Sequence, residues 1–145
     1  GVVQQFGTPG DIYDNPTNTF VATFMGSPAM NLLEGIVQDG FVVLPEGSKI
    51  ALPSRASSIE NKRKIKIGIR PEWFNTSTTS GRIKAELEIL EPTGPDIYAT
   101  LKIGEQNIMA RLPSSTELKV GDIYSFDVNM EKASIFEAKT GFNLY

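Results

Sequence analysis

Ile83-Lys84-Ala85-Glu86-Leu87-Glu88-Ile89 and, beyond a turn at Pro92-Thr93-Gly94-Pro95, Ile97-Tyr98-Ala99-Thr100-Leu101-Lys102-Ile103 alternate apolar and polar residues with a period of two. A β-strand sends successive side chains to opposite faces, so each segment offers one face to a core and one to water. The same alternation occurs at Ile65, Ile67 and Ile69, at Ile108, Ala110 and Leu112, and at Tyr124, Phe126, Val128 and Met130. Asp39-Gly40 between Ile36-Val37 and Phe41-Val42-Val43-Leu44 is a hairpin signal, and Gly104-Glu105-Gln106 and Gly121-Asp122 supply further turns. No long helical period intervenes, which argues against parallel βαβ units. Several short amphipathic strands predict a mainly β fold, a barrel or a sandwich.

The pattern changes on the amino-terminal side of residue 31. Thr8-Pro9-Gly10-Asp11 places a cap residue, a proline at the first helical position and an acid where a helix start prefers them. Asn15-Pro16 keeps that helix short. Asn18 is placed to cap a second helix through Phe20, Val21, Phe24 and Met25, with Gly26 as its stop. Helices this short need something to pack on. Two further stretches, 54–62 and 75–80, are polar with little to bury and are expected to be loose loops.

Composition narrows the chemistry. With 145 residues, 40% hydrophobic and 21% charged, the chain has the make-up of an ordinary globular domain. A net charge of −3 argues against broad capture of nucleic acid, so no nucleic-acid partner is expected. The absence of cysteine and histidine removes disulfides, thiolate nucleophiles, Cys/His zinc sites and the commonest general base. The sequence has no signal-peptide pattern and no apolar run of bilayer length. It lacks a starting methionine and is expected to begin partway through a longer protein.

Few strings point to chemistry. Gly35 and Gly40 have phosphate-loop spacing, but Phe41-Val42 stand where Lys and Ser/Thr are needed, so both read as turn glycines. Glu86 and Glu88 read as a solvated strand face rather than a carboxylate pair for glycoside chemistry. Asn61-Lys62-Arg63-Lys64 reads as a soluble strand entry. Gly68-Ile69-Arg70-Pro71-Glu72-Trp73 is the most unusual string: Pro71 must end a strand, and Arg70 and Trp73 are types enriched at binding hot spots. The alternative for that string is a loop brace in which Arg70 pairs with a nearby carboxylate or carbonyl.

Gln5-Phe6-Gly7-Thr8-Pro9, Ile12-Tyr13, Pro16-x-Asn18-x-Phe20-Val21-Ala22 and Phe24-Met25-Gly26-Ser27-Pro28-x-Met30-Asn31 form one ordered series. It resembles the junction between the ATPase and regulatory domains of maltose- and glycerol-phosphate-type ABC importer ATP-binding subunits. Gly68-Ile69-Arg70-Pro71-Glu72 is similar to the hallmark of the transport-associated OB (TOBE) region of that family, and Phe136 and Gly141 sit as in its closing strand. The chain departs from the family pattern at Trp73, where histidine is frequent, and at Glu137, where aspartate is frequent.

The resemblance implies an OB-like/TOBE β-barrel with a short N-terminal helical segment. Residues 1–30 would be the end of an ATPase domain, with Val2 to Gln5 as its last strand, and residues 31–145 a regulatory barrel. The implied function is non-catalytic: regulation and homodimerisation of a transport ATPase on the cytoplasmic side of the membrane, together with permease subunits and a possible regulatory protein. ATP and magnesium would bind upstream, leaving no cofactor in this stretch. Gly68, Ile69, Arg70, Pro71 and Glu72 are the candidate regulatory or dimer interface. A small-ligand or oxyanion-binding barrel is the rival reading, because related barrels in other importers bind anions.

Overall fold

The computed structural model of the chain describes residues 7–24, 29–77 and 83–144. Two short helices, α1 (Pro9–Asp14) and α2 (Thr19–Phe24), precede the strands. Asn18 caps α2 as its sequence position predicts, its Oδ1 accepting from the Val21 N–H at 2.9 Å. Val2 to Gln5 and Met25 to Pro28 lie outside the described residues.

Among the described residues ten strands follow: β1 (Asn31–Gln38), β2 (Phe41–Val43), β3 (Lys49–Ala51), β4 (Lys64–Ile69), β5 (Phe74–Ser77), β6 (Ile83–Pro92), β7 (Asp96–Ile103), β8 (Gln106–Pro113), β9 (Ile123–Val128) and β10 (Ser134–Glu137). They form two five-stranded sheets, ordered β10-β4-β1-β2-β3 and β5-β9-β6-β7-β8, with antiparallel pairing throughout. The β1–β2 hairpin turns at Asp39-Gly40 with both residues at positive φ, 52° and 80°. That backbone matches the right-handed twist of the flanking strands, which is why the Asp-Gly pair signals it.

The alternating residues meet in one core. Leu33, Val37, Ile65, Ile67 and Phe136 from the first sheet pack with Ile83, Leu87, Leu101, Ala110 and Phe126 from the second. The sheets are stitched by side chains where their ladders stop. Asn31 of β1 accepts from the Met109 N–H at 2.9 Å and donates to the Met109 carbonyl at 2.8 Å, and the Glu34 N–H donates to Gln106 at 2.8 Å. The result is the mainly β, OB-type barrel that the alternation and the resemblance predict.

Three expectations change. A bulge between Leu87 and Ile89 breaks the β6 register, and Ile89 turns out to solvent at 50% exposure instead of joining Ile83, Ala85 and Leu87 inside. Of the β9 set, only Phe126 is fully buried; Tyr124, Val128 and Met130 line the core margin. The 54–62 stretch has more to bury and to bond than its composition suggests. It holds a 3-10 turn at Ser54–Ala56, buries Ala56, and anchors itself when Arg55 donates to the Glu131 carbonyl at 2.8 Å and to the Ala133 carbonyl. Of the second stretch, residues 75–77 belong to β5 and 78–80 lie outside the described residues.

Candidate functional site

The Gly68–Trp73 string occupies the crossover from one sheet to the other. β4 ends at Ile69, Arg70 is extended, Pro71 opens a 3-10 turn to Trp73, and Phe74 starts β5 in the second sheet. Proline suits the first position of the turn because its φ is already set and its missing N–H is not needed there. Gly68 is required by space: a Cβ there would lie 2.4 Å from Met30 Sδ and 2.7 Å from Phe136 Cε2.

Arg70 is wholly buried, which is uncommon for a guanidinium. Such a charge is tolerated only where acceptors replace water. Here they come from the helical segment. Nε and Nη2 donate to the Tyr13 carbonyl at 3.3 and 3.0 Å, and Nη1 donates to the Ala22 carbonyl at 3.1 Å. The guanidinium carbon also sits 4.0 Å from the centre of the Tyr13 ring, a cation–π arrangement. The Tyr13 hydroxyl donates to the Glu72 carboxylate. Burial, reinforced by that hydrogen bond and by the negative charge of Glu72, pushes the Tyr13 phenol up to about 12.

Four of the five candidate interface residues are therefore inside the chain. Gly68, Ile69, Arg70 and Pro71 are buried, and Glu72 is half-buried with its carboxylate engaged by Tyr13. Trp73 is buried as well, its carbonyl accepting from the Asn129 N–H at 3.1 Å. The brace reading of Arg70 describes its contacts, with carbonyls as the acceptors. Sequence reasoning placed Tyr13 only within the ordered series, and nothing local to it marks a partner 59 residues away.

Other sequence candidates resolve into structure. Gly35 lies within β1 against Val42, and Gly40 sits in the hairpin turn. In the basic cluster, Arg63 pairs with Glu60 at 2.8 Å and Glu137 at 3.0 Å, and Asn61 accepts from the Asp39 N–H at 2.8 Å. An open groove of about 510 Å³ lies on the first sheet, lined by Glu34, Ile36, Val43, Pro45, Lys64 and Ala138 among others. Its walls are mostly apolar, with one glutamate and one lysine. Among the described residues no group of three or more acidic side chains is arranged to hold a metal ion.

Comparison with known proteins agrees with this architecture. Residues 26–74 match the family model of the MalK OB fold domain. The chain is 36% identical over 148 residues to the sn-glycerol-3-phosphate import ATP-binding protein UgpC of Psychromonas ingrahamii, covering 97% of this chain and 39% of that protein. It is 30% identical over 150 residues to the oligosaccharides import ATP-binding protein MsmX of Bacillus subtilis, covering 97% and 41%. The chain thus spans about two fifths of the length of these relatives. Among solved structures, the cytoplasmic molybdate-binding protein ModG, in a form with molybdate bound, has a TM-score of 0.60 at 16% identity, covering 72% of this chain and 94% of that one. That is a likeness of fold alone. Residues 26–74 thus resemble the MalK OB fold domain, and the chain is similar along almost its whole length to part of several import ATP-binding proteins.

Proposed function

We propose that this chain is a non-catalytic regulatory and dimerisation module of the ATP-binding subunit of a sugar-type ABC importer. The observation that carries the reading is the alignment of nearly all of this chain with part of an import ATP-binding protein, across a stretch that is almost all barrel. In this reading residues 1–30 close the ATPase domain and residues 31–145 form the regulatory barrel. ATP and magnesium act in the upstream domain, where permease subunits also dock. The module is peripheral to the cytoplasmic face of the membrane; among the described residues no helix is long and apolar enough to cross it.

The mechanism is mechanical. Two barrels in contact limit how far the two attached ATPase domains separate, and a regulator that binds one barrel arrangement better than another biases the cycle by that difference in affinity. The Gly68–Glu72 string serves this from inside the chain, as the seam between the helical segment and the barrel, so the face toward a second copy or a regulator lies elsewhere on the barrel. Sedimentation of the full-length subunit with and without residues 31–145 tests the pairing role. The dimer is expected to weaken on deletion, and an unchanged dimer rejects it.

The fold likeness to a molybdate-binding protein supports a second reading, an oxyanion-binding barrel. The groove of Glu34, Ile36 and Val43 does not offer such a site, because an anion needs converging donors and this lining is mostly apolar. Calorimetry of the chain with molybdate and sulfate separates the two. Saturable heat would favour the second.

A further inference from the structure

Among the described residues the helical segment is attached to the barrel by few apolar contacts. Of the described α1 and α2 side chains, only Val21 and Ala22 are buried, and Phe20 is 59% exposed. Six-residue helices have no stability of their own. Polar ties hold the segment as well, among them the Tyr13 hydroxyl on Glu72, the C-terminal tail and Arg70. The C-terminal tail grips its middle: the Thr19 N–H donates to the Gly141 carbonyl at 2.9 Å, and Asn143 donates to the carbonyls of Thr17 and Pro16 at 2.8 and 2.7 Å. Arg70 grips both helices at once, through Tyr13 of α1 and Ala22 of α2.

We propose that Arg70 is a conformational latch: its guanidinium, held by the Tyr13 and Ala22 carbonyls and the Tyr13 ring, locks the α1–α2 segment onto the barrel as a unit that opens while the barrel stays folded. One cation reaching acceptors on both helices makes their docking a single event, so α1 and α2 engage and release together. Segments with little buried apolar area open at a lower free energy than the core they sit on. The position of Arg70 matters too. It is the residue between β4 and the turn into β5, so its side chain joins the helical segment to the crossover between the two sheets. Any displacement of the segment is felt where the sheets are joined. The latch is a property of this chain alone; its use as a relay between an ATPase domain and the barrel rests on the importer reading.

Amide hydrogen exchange on the full 145-residue chain is the test, with the Ile12 and Ala22 amides reporting the segment and Ile67 and Leu101 reporting the two sheets. In Arg70→Lys, which keeps a charge but loses the planar fork, Ile12 and Ala22 are expected to exchange at least about tenfold faster together, with the sheet amides within about twofold of wild type. Acceleration of segment and sheets by the same factor, or no acceleration at Ile12 and Ala22, overturns the latch. Should Arg70→Lys fail to fold, wild-type exchange in sub-denaturing urea decides the same question. The latch requires Ile12 and Ala22 to open with a weaker urea dependence than Ile67, and a shared dependence overturns it. Neither measurement involves ATP, a permease or a second copy, so failure here leaves the importer reading standing.

Discussion

A methionine sulfur and a phenylalanine ring leave Gly68 no room for a side chain. Gly68→Ala must push Met30 or Phe136 off its rotamer, and overpacking of this kind costs about 1–3 kcal/mol. Urea denaturation should show a lowered midpoint with an unchanged slope. Tyr13 makes a second prediction at the same scale. Burial and the bond to Glu72 raise its phenol to about 12 from the ordinary value of 10.0, so the folded chain favours the neutral form. The sign follows: this stabilisation is complete below pH 10 and is lost as pH climbs from 10 to 12. Absorbance titration should show a phenolate forming near pH 12, and Tyr13→Phe should remove that step. A step near pH 12 that survives the substitution rejects the Tyr13–Glu72 pairing.

At the scale of elements, Asn31 does the work of a ladder between β1 and β8. Asn31→Leu keeps the branched outline of the side chain and leaves the Met109 N–H and carbonyl without their partners, at a cost on the order of 2 kcal/mol. Thermal unfolding of the variant should show it as a clear loss of midpoint, and a change within error would mean water satisfies Met109 equally well. The bulge in β6 gives a paired prediction. Ile89→Thr should change stability by no more than about 0.5 kcal/mol, since the side chain faces solvent, while Leu87→Ala two positions earlier should cost about 2–5 kcal/mol. Equal losses would mean Ile89 packs inside. The alternation in the sequence revealed β4, β6, β7 and β8 because period-two burial is written locally. It misplaced Ile89 because a bulge is set by the pairing strand rather than by β6 itself. It said nothing of β3, whose three residues are too few for a period to appear. The string around Arg70 was conspicuous from its proline and charges, yet its burial was not legible, because the covering carbonyls belong to residues 57 and 48 positions earlier.

For the whole molecule, the two sheets share a single core, with Phe136 of the first and Phe126 of the second both inaccessible to solvent. A shared core makes unfolding cooperative across both sheets, since neither retains a buried face once the other has gone. Trp73, the chain's one tryptophan, lies in the turn that leads from β4 to β5 and reports on the joint between the sheets. Phe136→Ala should lower stability by about 3–5 kcal/mol. It should do so as one transition, with Trp73 fluorescence and far-ultraviolet circular dichroism falling at the same urea concentration. Phe142→Ser, at a side chain 60% exposed, should leave that midpoint within about 0.5 kcal/mol. Separate midpoints for the two signals in Phe136→Ala would mean that the sheets unfold independently. A barrel that comes apart in two stages could not act as the rigid body on which the pairing of ATPase domains is argued.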